Sequence, residues 1–202
     1  VSYEYDETLS DLSRVEDAIK KFKPKAITVV HCETPSGTLN PIHELGQLKK
    51  KYNVPLLIVD AVASIGAAPV DGDGWNADIV LGGTQKALSL PPSQCFASVS
   101  PTAWEIIRDV DYVGYEAFKP YENLAKTMAH PNTPDWNQVE ALNDVLDDIL
   151  EREGLEKVFA RHNAIAEFIR EEVSAAGYRL FPKASAVSSP SVSAIYVPEK
   201  RT

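Results

Sequence analysis

The chain has 202 residues, 44% hydrophobic and 24% charged, a globular rather than a disordered composition, and at this length about 70% of the unfolded surface can be buried. Twenty Lys and Arg stand against 29 Asp and Glu, a net charge of −9; nucleic acid is therefore a poor partner, because its binding rests on basic side chains at phosphates. No apolar run approaches the roughly 20 residues of a spanning helix, so no membrane partner is expected.

Residues 10–22 read as a helix, with Ser10 or Asp11 as its cap, Leu12, Val15 and Ile19 at helical spacing, and Pro24 as its stop. Residues 26–30 (AITVV) form a short buried strand. A turn-rich loop, HCETPSGTLN, follows, and Pro41 is placed to open a helix that runs to about Tyr52. Leu56, Leu57, Ile58 and Val59 make a second apolar strand that ends in Asp60. Residues 77–81 and 96–100 read as two more strands, with a glycine-led loop between them. Fully apolar strands alternating with helices predict a parallel sheet covered on both faces.

From Trp136 the pattern changes. Val139, Leu142, Val145, Leu146, Ile149 and Leu150 make one helical stripe, which Gly154 breaks. Leu155, Val158, Ala166, Phe168, Ile169 and Val173 make another, ended by Gly177. Residues 178–181 and 191–197 then read as strands. The division this suggests is an α/β unit over 1–152 and the start of a smaller α+β unit over 153–202. Neither terminus carries a leader or a terminating element, so we expect a chain cut at both ends.

Ligands of open parallel sheets collect beyond the carboxyl ends of the strands. Three polar segments fall there: HCETPSG, Asp60, and GGTQK. Asp60 reads either as a helix cap or as a site carboxylate. Lys86 reads either as a surface lysine or, given the apolar residues around it in sequence, as a desolvated amine suited to Schiff-base chemistry. An imine-forming lysine and a carboxylate for a pyridinium nitrogen are together what pyridoxal 5'-phosphate needs. His31 reads as a structural or pocket-lining group ahead of a catalytic one. His43, His130 and His162 lack metal spacing, and no metal site is expected. Cys32 and Cys95 lie far apart, which speaks against a disulfide framework and fits a reducing compartment; we expect a cytoplasmic protein, with an organelle address requiring a segment ahead of Val1.

The segments HCETPSGTLNPI, LLIVDAVASIGAAPV and ADIVLGGTQKALSLPPS, followed by HPNTPDW and GLEKVFARH, resemble the class V aminotransferases of PLP fold type I. Among them the resemblance is nearest to the alanine–glyoxylate and serine–glyoxylate (serine–pyruvate) transaminases, and it covers essentially the whole chain. It implies a large domain with a mostly parallel sheet between helices, and a homodimer with shared sites. It implies transfer of an amino group from a small amino acid, alanine or serine, to a 2-oxo acid, glyoxylate or pyruvate. By resemblance Lys86 would form the Schiff base and shuttle the proton, and Asp60 would pair with the ring nitrogen. Val62 would pack on one ring face, and Thr34 would lie near the phenolic oxygen. Gln85 and Thr84 would contact the phosphate, and Thr133 would reach the phosphate of the neighbouring subunit.

Ser93 stands where the family often has a glycine, and a tight turn there would cost it modestly. Gln85 precedes the lysine where a desulfurase usually has a histidine, which sets that chemistry aside. The phosphate-binding glycine segment, the stacking aromatic and the arginine for the substrate carboxylate would lie outside these residues, so residues 1–202 alone are not expected to transaminate. The alternatives are a class V transaminase for an aminophosphonate or pyridoxamine, and a non-catalytic dimerisation domain of the same fold.

Overall fold

The computed structural model describes residues 11–197. Helix α1, Ser13–Phe22, buries Val15 and Ile19 on one face. Asp11 Oδ1 accepts from the Ser13 N–H at 3.0 Å, while Ser10, the other expected cap, lies outside the described residues. The main sheet is built from β1 (Ala26–Val30), β4 (Leu56–Asp60), β5 (Ile79–Gly83) and β6 (Cys95–Val99), in that spatial order. A short hairpin, β2 (Cys32–Glu33) and β3 (Thr38–Leu39), rises from the end of β1. Helix α2, Ile42–Lys51, returns the chain to β4.

β1, β4 and β5 are parallel, and β6 runs antiparallel to β5. The mostly parallel α/β sheet expected from the apolar strands is therefore present, with β5 and β6 each shifted from the expected limits by one or two residues. Leu57, Val59 and Val80 face α1 and α2 and form the core with Val15, Ile19, Ile42 and Leu45. At the amino end of β5, Asp78 is buried with its charge fully engaged. It accepts from the Leu57 N–H at 2.7 Å and lies 2.8 Å from Lys49 Nζ, and Ser100 donates to it at 3.2 Å. Such multiple partnering is what a buried carboxylate requires.

The opposite face of the sheet carries Thr28, which is exposed, and Val30, Ile58, Asp60 and Leu81, which are half-buried. Coverage of both faces was expected; among the described residues only the α1/α2 face is fully packed. The chain exposes 12,648 Å², where a compact chain of its size exposes roughly 9,400 Å².

Helix α3 (Pro101–Val110) starts from a Ser100 cap, and a short α4 (Leu124–Thr127) follows. Helix α5 (Trp136–Asp147) widens into a π-helical turn at Asp148–Glu153. Gly154, at φ +88°, breaks it, and α6 spans Leu155–Ala175. The strands expected at 178–181 and 191–197 reduce to one bridge, Leu180 with Ile195, flanked by Phe181 N–H to Ala194 O (2.8 Å) and Tyr196 N–H to Arg179 O (2.9 Å). Among the described residues no third strand lies alongside to extend the ladder, and an isolated pair is marginal. Among the described residues no helix is long and apolar enough to cross a membrane.

Candidate active site

The register of the sheet brings the three polar segments together. Val30 pairs with Asp60, and Asp60 with Leu81, so β1, β4 and β5 end side by side. The His31 N–H continues the ladder to Asp60 O at 2.8 Å, and the Ala61 N–H does so to Leu81 O at 2.9 Å. Asp60 thus sits on the incompletely covered face at the carboxyl edge. Its Oδ1 accepts from the Val62 N–H at 2.9 Å, which fixes the carboxylate, and Oδ2 has no partner among the described residues. One oxygen of Asp60 thus serves a cap-like contact, and the other is left open for a site role.

β5 extends beyond Leu81 through Gly82 and Gly83. A Cβ on Gly83 would meet Gln85 Oε1 at 2.7 Å and Val62 Cγ1 at 3.3 Å. The bare Cα thus leaves a cradle floored by backbone, walled by Val62 and by the folded-back Gln85 amide. Lys86 follows, opening a turn closed by Ser89 N–H to Lys86 O at 2.9 Å. Its side chain is exposed. This corrects the expectation of a desolvated lysine: the apolar residues next to it in sequence, Leu88 above all, are buried in the opposite direction.

Thr84 is 1% exposed, and its hydroxyl donates to Pro91 O at 2.7 Å, with Gln94 O at 3.3 Å. The hydroxyl proton therefore braces the 84–94 loop. Ser93 does not adopt the left-handed conformation that a glycine there would serve. The left-handed residue of this loop is Ser89, at φ +57°, so the cost assigned to Ser93 falls on another position. Thr34 is exposed at the apex of the β2–β3 hairpin. Thr133 is exposed too; its segment is tied to the same loop by Gln94 Nε2 donating to Asp135 O at 3.5 Å.

His31 is 4% exposed, and burial lowers its pKa to about 4, so the ring is neutral. Nδ1 lies 2.9 Å from Ser64 Oγ, which is also 3.2 Å from Ala61 O. With the hydroxyl proton on Ala61 O, Nδ1–H donates to Ser64. Trp75 packs edge-on at 4.9 Å. The sequence analysis passed over Ser64, Trp75 and Gly83. Only the paired glycines after an apolar strand hinted at Gly83, and nothing local marks a serine whose partner is 33 residues away.

Five of the arginines are engaged elsewhere. Arg108, Arg152 and Arg161 pair with Glu122, Asp148 and Glu153, Arg170 donates to Ser189 O, and Arg179 lies over the Tyr196 ring. A cleft of about 460 Å³ lies at the β1 edge, lined by Thr28, Val30, Glu33, Ile58, Asp60 and Leu81 among others.

The carboxyl edge of the sheet thus brings together a carboxylate, a glycine cradle and, three residues beyond that cradle in the chain, a lysine. The family described as aminotransferase class V matches residues 3–200, and the chain belongs to it. An uncharacterized aminotransferase of Methanocaldococcus jannaschii is 39% identical over 194 residues, covering 93% of this chain and 49% of that protein. An alanine–glyoxylate aminotransferase of Oryctolagus cuniculus is 32% identical over 195 residues, 93% of this chain and 49% of the relative. The crystal structure of pyridoxamine–pyruvate aminotransferase from Mesorhizobium loti superposes with a TM-score of 0.92 at 31% identity, over 98% of this chain and 51% of that one. The chain spans about half the length of the relatives it matches.

Proposed function

We propose that the gene product carrying this chain is a pyridoxal 5'-phosphate-dependent aminotransferase that moves an amino group from alanine or serine to glyoxylate or pyruvate. The observation that carries this reading is that Val62 both holds Asp60, with Oδ2 open, and walls the Gly83 cradle, which lies three residues of chain short of Lys86. The residues fit the cofactor: a carboxylate for the ring nitrogen, an apolar wall, amide and hydroxyl groups for a phosphate, and a primary amine. When bound, the cofactor supplies a carbonyl for amine capture and a protonated ring that accepts the electrons of the substrate Cα–H bond.

The chain's own residues divide the work. Asp60 holds the proton on the pyridine nitrogen, and the Val62 N–H holds Asp60. The Val62 side chain packs one face of the ring. Thr34 would lie near the phenolic oxygen and Gln85 would contact the phosphate. The phosphate contact expected of Thr84 is not kept, because that side chain is buried with its hydroxyl donating to Pro91 O, and it serves the site by bracing the loop. Lys86 Nζ would hold the cofactor and carry the proton at substrate Cα. Its exposure means that water must be excluded by groups beyond those described, which supports a homodimer with Thr133 reaching the neighbouring subunit's phosphate. Residues 1–152 then belong to the cofactor-binding domain and 153–202 begin the smaller one.

Borohydride reduction of the cofactor-loaded gene product, followed by peptide mapping, is expected to place the adduct on Lys86; an adduct on another lysine overturns the assignment. The likeness to pyridoxamine–pyruvate aminotransferase supports a second reading, with pyridoxamine as donor. Parallel assays with alanine plus glyoxylate and with pyridoxamine plus pyruvate separate the two.

A further inference from the structure

The hairpin that carries Thr34 has only two residues in each strand, too few to hold a position by itself. Its base is tied to the end of β1, where Asn40 N–H donates to His31 O at 2.8 Å and Asn40 Nδ2 to Val30 O at 2.9 Å. The turn is closed by Gly37 N–H to Glu33 O at 2.8 Å, and the Ser36 and Thr38 hydroxyls lie 2.7 Å apart. Thr34 and Pro35 stand exposed at the apex.

The back of this hairpin is gripped by residues 188–194. The Ser189 N–H donates to Gly37 O at 2.8 Å, and Ser188 bridges Thr38. The Cys32 thiol donates to Ser189 Oγ at 3.0 Å across 157 residues of sequence and lies 3.4 Å from Ser191 Oγ. Ser189 and Ser191 hydroxyls are 2.9 Å apart. Cys32 and Ser189 are 1% and 0% exposed, so these bonds compete with little water. Arg170 of α6 donates to Ser189 O at 3.3 Å, which ties the segment to the long helix. A Cβ on Gly37, already at φ +67°, would come within 3.1 Å of Ala194 N and 3.2 Å of Val192 O. The absence of a side chain is what lets the two segments meet.

We propose that residues 188–194 are a latch that sets the height of the Thr34 loop above the carboxyl edge of the sheet, with Cys32, Gly37 and Ser189 as positioning residues. The latch couples the seat of the cofactor to α6 and the C-terminal segment. The coupling to the cofactor rests on the aminotransferase reading given above; the mechanical latch does not. A hairpin held only at its base could move its apex freely, and every added bond on its back face restricts Thr34 rather than the buried core.

The test uses the complete gene product with Ser189→Ala, Gly37→Ala and, as a control on α6, Ser174→Ala. Amide hydrogen exchange of residues 33–40 in cofactor-free protein is expected to quicken about five- to tenfold in the first two and not in the third, the scale of one or two lost hydrogen bonds. In cofactor-loaded protein, Ser189→Ala is expected to move the pH midpoint of the visible absorbance in the same direction as Thr34→Ala, and Cys32→Ser, which keeps a donor, to leave it in place. Unchanged exchange in Ser189→Ala overturns the latch. Faster exchange with an unmoved absorbance, where Thr34→Ala moves it, reduces the segment to packing and overturns the positioning role. An unmoved absorbance in Thr34→Ala, with the adduct still on Lys86, also overturns that role and leaves the aminotransferase reading standing. No adduct on Lys86 ends that reading and the positioning role together, while the exchange result still decides the mechanical latch.

Discussion

Residues 13–103 and residues 104–197 are folded to different depths. In the first region α1, α2 and three strands close over Leu57, Val59, Ala61, Ile42 and Leu45, each 0–2% exposed. Beyond Ala103, the buried apolar side chains are Ala117, Val158, Phe159 and Ala166. There, Leu146, Leu150, Phe168 and Ile169 stay 38%, 51%, 62% and 41% exposed on α5, the π-helical turn and α6. The contrast teaches that an apolar stripe is a demand for a partner, not evidence that this stretch of chain supplies it. The first region meets its demand locally because strand, helix and strand follow each other within 35 residues or so. The second consists of long helices with little beside them.

The site belongs to the first region, and the largest expected effects are there. Lys86→Ala in the complete gene product should abolish the borohydride-fixed adduct and lower turnover by at least about 10³-fold, the combined loss of the amine and its proton transfer. Retained turnover would move the chemistry away from this edge. Asp60→Asn keeps the shape and the bond from Val62 and removes the charge; turnover should fall on the order of 10²-fold, measured beside unchanged folding by circular dichroism.

Stability should separate the regions just as sharply. Leu57→Ala removes a fully buried side chain and is expected to cost about 2–5 kcal/mol in urea unfolding. Phe168→Ser on α6 should stay within about 0.5 kcal/mol in the isolated 202-residue chain, as exposed substitutions do. A large loss for Phe168→Ser would show that α6 is covered in solution, and the contrast between the regions would fail.

His31 sharpens the comparison by pH. Its pKa is lowered from 6.5 to about 4 in the folded chain by burial, so the unfolded state binds the extra proton between those values. Its stabilising contribution is whole above about pH 6.5 and is lost as the pH falls toward 4, about 3 kcal/mol in all. Urea titrations at pH 7 and pH 4.5 should show the loss, and His31→Phe should flatten that part of the profile. An unaltered slope in His31→Phe would assign the acid sensitivity elsewhere.

Much of the first region is legible from residue order. AITVV and LLIVD announce parallel strands, although β1, expected buried, lies at the sheet edge with no residue fully buried while β4 buries Leu57 and Val59. Asp60 marks a strand end, and GGTQK marks the next. What local order misjudged is direction. Lys86 has apolar neighbours in sequence, yet Leu88 turns inward and Lys86 outward, because the 86–89 turn reverses the chain between them. Thr84 reads as a free hydroxyl beside glycines, and the folded loop spends its proton on Pro91 and Gln94 carbonyls. Residues 191–197 alternate as a strand should, but among the described residues they meet 178–181 in a single bridge, and an isolated pair is marginal.

By itself, then, the sequence determined the alternation of strands and helices, the carboxyl-edge position of Asp60 and the family-like order of its three polar segments. Those features depend on periodicity and on residues a few places apart. Tertiary structure alone decided that Asp60 keeps one oxygen for Val62 and leaves the other open, that His31 is neutral against Ser64, and that Cys32 meets Ser189 behind the Thr34 loop. The last two depend on groups brought together across 33 and 157 residues, and the first on the strand register that leaves Asp60 at the sheet edge, so burial and hydrogen-bond geometry, not local pattern, set what each side chain does.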